Sequence, residues 1–243
     1  MARSPQPRHE LTGERTLPGI LHENYWFRRH EAAYRWVSGV APVRGGVVVD
    51  AGVGEGYGGQ ELASAGAAIV LGLDLDLTTL RHVAAGYPDV RPVCANLVRL
   101  PCRTGSVDVV VAAQVVEHLW DQGGFVREGA RVLRPGGRLV VTTPNRATFP
   151  AGNPFHSREL DGRELVALVT PHLQVELVRG LHHGRRLASA DAEHGDVVAA
   201  QLAGPPEGWS PVLLGLVASV TAEDFLVGAA EGALDLLAVA VRD

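Results

Sequence analysis

From Val47 to Pro144, short unbroken apolar runs alternate with longer segments of mixed character. The runs are "GVVVDA", "AIVLGLD", "VRPVCAN", "VDVVVAA" and "RLVVTTP"; stretches such as "YGGQELASAG" and "LTTLRHVAAG" lie between them and are long enough for helices. Continuous apolar strands are what a parallel sheet covered on both faces requires, so the pattern predicts an α/β fold. Upstream, "ENYWFRRHEAAYRWVSGV" carries Tyr25, Trp26, Tyr34 and Trp36 among its apolar positions and predicts a helix over 23–40. Downstream, "LQVELVRGLHH" and the closing "LDLLAVAVRD" read as two more strands. Between them, residues 182–234 form an insert bearing Arg, His, Pro and Gly, too poor in periodic apolar segments to make its own core. Its histidines 182, 183 and 194 are expected at the surface, and "PVLLGLVASV" is expected to bury itself in the insert or against a second copy in a homodimer. Residues 1–20, polar and proline-bearing, predict a loose arm. The 243 residues show no internal repeat, and one domain spanning 1–243 is expected.

Composition narrows the function by exclusion. No apolar run reaches the length that spans a membrane, and "MARSPQPRHELTGER" lacks the apolar stretch of a signal peptide, so a cytoplasmic protein is expected. Cys94 and Cys102 are too few for a disulfide framework or a structural zinc site. A net charge of −5 without a long basic block argues against nucleic acid as partner. All 22 basic residues are arginine. Without lysine, the chain cannot supply a P-loop lysine or a pyridoxal Schiff base.

"VVVDAGVGEGYGG" sets Gly52, Gly54 and Gly56 directly after a strand and before a helix, where backbone must turn sharply and approach a ligand. Gly54, Gly56 and Gly59 also satisfy the dinucleotide pattern G-x-G-x-x-G. Asp50 separates the two readings, because a carboxylate there repels a pyrophosphate and attracts an ammonium or sulfonium. Asp74 closes the next strand, where a carboxylate can accept both ribose hydroxyls of an adenosine.

Together with "LGLDLD", "ANLVRLPCRTGSVDVVVAAQVVEHLWD" and "FVREGARVLRPGGRLVVTTPN", the glycine loop resembles the class I S-adenosylmethionine (SAM) methyltransferases over about residues 45–145. The resemblance implies a Rossmann-like fold: a mostly parallel seven-stranded sheet with an antiparallel last strand and helices on both faces. It also implies that Asp50, Gly52, Gly54 and Gly56 surround the methionine part of SAM and that Gln114 is close to it. Asp74 would hold the ribose, Leu75 would lie on the adenine face, and Asn96 and the Leu97 backbone would read the adenine edge. The family's usual residue at position 96 is Asp; an Asn oxygen can still accept from the adenine amine.

A hydroxyl acceptor gains acidity only as the methyl arrives, so its transfer profits from a base or a metal beside the oxygen. "QVVEHLWDQ", residues 114–122, follows the fourth apolar run and sets Gln114, Glu117, His118 and Asp121 at i, i+3, i+4 and i+7, one face of a helix. His118 could be the base, oriented by Glu117 or Asp121. Ubiquinone-pathway O-methyltransferases carry a similar E-x-x-E-H here and use it for a metal. In this chain the first position is Gln114, so Gln114, Glu117 and His118 would hold Mg²⁺ less strongly. The loop "TPNRATFPAGNPFHSREL" supplies His156 as an alternative base and Asn153 as a substrate contact, or else Ser157 merely caps the next helix. In the N-terminal helix, Tyr25, Trp26, Arg28, Arg29 and His30 offer aromatic faces and planar donors suited to a sugar or the SAM carboxylate.

"LTGERTLPGI…ENYWFRRHEAAY", "EHLWDQ", "TPNRATF", "NPFHSREL" and "LHHGRRL" resemble more narrowly the actinobacterial O-methyltransferases of methylglucose and methylmannose polysaccharides, over nearly the whole chain. That resemblance implies a sugar or oligosaccharide hydroxyl as acceptor. Methylation of another small natural product at oxygen or carbon, and SAM binding without transfer, are the alternatives.

Overall fold

The computed structural model describes residues 16–150 and 153–243. Most of the expected N-terminal arm, residues 1–15, lies outside the described residues. Among the described residues eight strands form one sheet: β1 Val47–Ala51, β2 Ile69–Asp74, β3 Val90–Cys94, β4 Val107–Ala113, β5 Leu133–Pro144, β6 Gln174–His183, β7 Phe225–Gly228 and β8 Asp235–Val241. Their order is β3-β2-β1-β4-β5-β8-β6-β7. The first five in that order are parallel, and β8 runs antiparallel between β5 and β6. The sheet is thus Rossmann-like and mostly parallel, with eight strands where seven were expected. The extra strand is β7, four residues pairing antiparallel with the end of β6. Too short to show a period, it reads in the sequence as part of the insert.

Helices cover both faces. They are α1 Asn24–Val40, α2 Tyr57–Ser64, α3 Leu77–Gly86, α4 Gln122–Val132, α5 Gly162–Val169, α6 Arg185–His194, α7 Val197–Leu202 and α8 Pro211–Ser219. Neighbouring strand residues serve opposite cores: Val49 and Val110 pack with Phe125, Val126 and Leu165 of α4 and α5. Val48, Val109 and Val111 pack with Val37, Leu62 and Val83 of α1, α2 and α3. Because both faces are apolar, the strands show no alternation. Among the described residues no helix is long and apolar enough to cross a membrane.

In the insert, Leu187, Ala190, Val197, Val198 and Val217 pack into a core shared with Tyr25 and Ala33 of α1 and with Leu237 of β8. Each insert helix is too short to show a convincing stripe by itself, and the face it buries belongs to α1. In α8, Val217 is buried while Val212 and Leu214 are exposed. His183 is half-buried, its Nε2 bonded to the Tyr25 hydroxyl at 2.7 Å and its Nδ1 to Asp191 at 2.6 Å. Of the three histidines expected at the surface, His194 is exposed and His183 is tied inward by these two bonds.

β1 and β4 are neighbours although β2 and β3 intervene in the chain, so the direction of winding reverses between them. In open α/β sheets the crevice beyond the carboxyl ends at such a point is where ligands bind.

Candidate active site

One cavity of about 330 Å³ opens at that crevice, within the range of small-molecule sites. One end is the loop after β1, including Gly52 and Gly54, with Gly58 of α2. The other holds Gln114, Glu117, His118 and His156, and Trp26, Arg29 and His30 of α1 form a wall.

The loop requires glycine where it faces the cavity. Gly52 sits at φ +78°, and a Cβ there would lie 2.5 Å from Val115 Cγ2. Gly52 and Val53 both donate to the Leu73 carbonyl at 2.8 Å, pinning the turn to β2. Gly54 and Gly56 are also left-handed, whereas Gly59 is an ordinary residue of α2 packed on Val90. The frame 52, 54, 56 therefore carries the backbone demand.

Asp50 is not at the cavity surface. Its carboxyl is fully buried, accepts the Tyr34 hydroxyl at Oδ1 (2.9 Å) and turns Oδ2, which has no hydrogen-bond partner among the described residues, toward Gly59. Burial pushes its pKa up to about 7 against the opposing Tyr34 hydrogen bond, with Asp74 adding to the rise. Since the folded state holds this proton more tightly than the unfolded chain, stability from this group is lost as pH rises from about 4 through 7. Linkage puts the loss on the order of 4 kcal/mol. Asp50→Asn should flatten that part of the profile; urea midpoints at pH 4.5 and pH 7.5, compared with wild type, check it.

Asp74 ends β2 with Oδ1 accepting from Asp76 N at 3.0 Å and Oδ2 facing Gly54 N at 3.4 Å. The helix that follows is capped by Asp76, not Asp74. Leu75 is 66% exposed, Leu97 is buried, and the Asn96 side-chain oxygen accepts from Val98 N at 3.0 Å. These four residues lie at the carboxyl ends of β2 and β3, outside the cavity lining. A glycine cradle beside an acceptor-only carboxylate and an exposed apolar side chain matches an adenosine bearing an amino-acid tail, so the donor set fits SAM.

At the far end the expected helix is absent. Gln114 adopts φ +56°, alone among described non-glycine residues in being left-handed. Its N–H bonds Thr142 O at 2.8 Å, and Val116–His118 then makes one 3₁₀ turn. Backbone held in this region is strained and is typical of functional sites. Asp121 does not orient His118; it caps α4 through Gly124 N at 2.7 Å.

Glu117 is buried and accepts the Thr143 hydroxyl at 2.9 Å. Burial pushes its pKa up to about 8, opposed by hydrogen bonds from its own backbone and from Thr143, and by His156. His118 Nδ1 meets the Phe155 carbonyl at 3.0 Å, and His156 Nδ1 meets Glu159 at 2.7 Å. The two rings lie 5.0 Å apart. Ser157 does not cap the next helix, which Asp161 caps. Instead its N–H and hydroxyl bond the Glu117 carbonyl at 2.7 and 2.9 Å, tying the two loops together.

Other expected contacts fall elsewhere. Tyr25 is in the insert core, Arg28 pairs with Glu31, and Asn153 bonds His156 at 3.2 Å without lining the cavity. Arg29 does line it, held by Asp235 through two hydrogen bonds at 2.7 and 2.6 Å. Sequence reasoning missed Tyr57, whose hydroxyl bonds His30 at 2.8 Å and Thr16 at 2.9 Å, and also missed Phe149 and Leu202. Tyr57 could have been found as the residue directly after the glycine loop; Leu202 carries no local signal.

Residues 49–141 match the family model described as "Methyltransferase domain". A protein named "probable S-adenosylmethionine-dependent methyltransferase" from Mycolicibacterium smegmatis is 49% identical over 246 residues, covering 96% of this chain and 95% of that one. A ubiquinone biosynthesis O-methyltransferase of Cupriavidus pinatubonensis is 37% identical over 120 residues, 46% of each chain. The solved structure of a SAM-dependent methyltransferase from Thermotoga maritima shares the fold, with a TM-score of 0.62, 16% identity and coverage of 92% and 91%.

Proposed function

This chain belongs to the SAM-dependent methyltransferases, and on that premise we propose that it methylates a hydroxyl group of a sugar or oligosaccharide. The observation that carries this reading is one cavity with a glycine cradle at one end and Glu117, His118 and His156 at the other. When bound, SAM supplies a methyl carbon made electrophilic by its sulfonium. Gly52, Gly54 and Gly56 shape the loop that receives the methionine part, with Gln114 beside it and Asp50 buttressing the loop from beneath. Asp74, Leu75, Asn96 and Leu97 serve the adenosine.

The chain's own chemical contribution is to the acceptor. Glu117, His118 and His156 form the group at which the hydroxyl sheds its proton, which an alcohol, with a pKa far above neutral, does only as the methyl arrives. Trp26, Arg29 and His30 offer a ring face and planar donors, the combination that suits a sugar ring edged with hydroxyls. The O-methyltransferase name of the Cupriavidus relative supports transfer to oxygen.

Incubation with methyl-labelled SAM and a panel of acceptors tests the reading. Glucosides, mannosides and their short oligomers should take up label, and phenols, amines and amino acids should not. Label confined to the latter group would overturn it.

A further inference from the structure

We infer that Asp191, His183 and Tyr25 are positioning residues that set the width of the acceptor end of the cavity, and with it the size of acceptor that reacts. The inference rests on the reading that this end of the cavity receives the acceptor.

The three side chains form one hydrogen-bonded chain through the core between the insert and α1. Asp191 Oδ2 meets His183 Nδ1 at 2.6 Å, and His183 Nε2 meets the Tyr25 hydroxyl at 2.7 Å. A carboxylate can only accept, so Nδ1 carries the proton of the neutral ring and Nε2 accepts from the tyrosine. The other oxygen of Asp191, Oδ1, accepts from the Val197 N–H at 3.0 Å. Val197 is the first residue of α7, and Leu202, the last, lines the cavity. At the opposite end of the chain Tyr25 adjoins Trp26, which lines the cavity too. One wall is thus tied to the other through groups that lie behind both.

The rotation of α1 decides where its cavity-facing side chains stand. Tyr25 and Arg29 are one turn apart on one face of the helix, and both are held: Tyr25 by His183, Arg29 by Asp235 of β8. Successive helical residues are about 100° apart, so releasing Tyr25 lets the start of α1 turn and swings Trp26 across the opening. The edge-on contact of the Tyr25 and Trp26 rings, 5.1 Å between centroids, passes the constraint to the wall. On the other side, the six residues of α7 make a lever about 9 Å long, so a tilt at Val197 is carried to Leu202.

Apolar packing alone would not hold the two walls in register. The surrounding core includes Leu181, Leu187, Val198, Val217 and Phe225, and contacts of that kind are non-directional. A buried hydroxyl, imidazole and carboxylate each cost solvation that apolar residues of similar volume would spare. Fully paired, they specify one arrangement of α1, α6 and α7.

Acceptor selection by Tyr25→Phe, Asp191→Ala and the double variant tests the inference. The readout is the ratio of kcat/KM for a methyl glycoside to that for the bulkier phenyl glycoside, and wild type should favour the smaller. Each single variant should narrow the ratio about tenfold, chiefly through acceptor KM, with S-adenosylhomocysteine affinity within about threefold of wild type. Both act through His183, so the double variant should narrow it no further than the more affected single one. Asp191→Asn keeps an oxygen that can accept from His183 and should restore part of the ratio lost in Asp191→Ala. Crystal structures of wild type and Tyr25→Phe should differ in the separation of Trp26 from Leu202. A ratio that holds while melting temperature falls, effects that add in the double variant, or an unchanged separation would each overturn the inference. Methylation of phenols or amines alone would refute the sugar reading; the same size comparison within that series, and the Trp26–Leu202 separation, would still decide the inference.

Discussion

His118→Ala should lower turnover at saturating SAM by about 10²–10⁴-fold while S-adenosylhomocysteine affinity stays within about threefold. The separation follows from position. His118 sits on the 3₁₀ turn at the far end of the cavity, across from the loop after β1 and tied to Phe155 of the next loop. On the proposed O-transfer reading, losing the ring removes the group that handles the proton of the acceptor oxygen. It leaves the turn at Gly52 intact, since that turn is held by Leu73 and Val115. Steady-state kinetics paired with calorimetry read both numbers. Unchanged turnover would remove His118 from the chemistry, and a large loss of S-adenosylhomocysteine affinity would move it to the cofactor.

The second large effect is on stability. Arg29 and Asp235 are both buried, and their bidentate pair joins α1 to the start of β8, with Arg29 also donating to Leu234 O at 3.0 Å. Arg29→Ala leaves Asp235 as a buried, uncompensated charge and should cost about 3–5 kcal/mol. Replacing both, as Arg29→Met with Asp235→Leu, should recover most of that loss, because an apolar pair of similar volume carries no desolvation penalty. Urea denaturation of the three proteins checks it. A single-variant cost of under about 1 kcal/mol would mean that water or a neighbouring group relieves the orphaned carboxylate.

The strands of the sheet core were legible because unbroken runs such as "VDVVVAA" have both faces buried, and the structure puts Val109 and Val110 of that run into different cores. Strand β7 was not, because four residues carry no period and its pairing with β6 is decided across 41 intervening residues. The helical reading of "QVVEHLWDQ" failed for a related reason. Gln114, Glu117, His118 and Asp121 have helical spacing, but the chain leaves β4 through a left-handed Gln114, and Asp121 is spent on capping α4. Spacing reports which residues could share a face, and a single backbone torsion decides whether they do.

The same limit applies to the site. Gly52, Gly54, Glu117 and His118 stand in local motifs and could be named in advance. That Glu159 pairs with His156, and that Ser157 bolts the loop after β5 to Glu117, depends on tertiary contacts that no local pattern encodes. Asp50 shows the converse. Its place at the end of β1 marks it in the sequence as a candidate beside the ligand, whereas its carboxyl faces Tyr34 and α2 beneath the loop.

The central claim is that this cavity transfers a methyl group from SAM to a sugar oxygen at the Glu117–His118–His156 cluster. Its most direct test is carbon-13 NMR of the product formed from SAM labelled in the methyl group, with a sugar acceptor and with His118→Ala as the control. One labelled O-methyl ether on the sugar ring is expected, made by the wild-type protein and nearly absent with the variant. Label on carbon or nitrogen, or an O-methyl sugar formed equally well without His118, would contradict it.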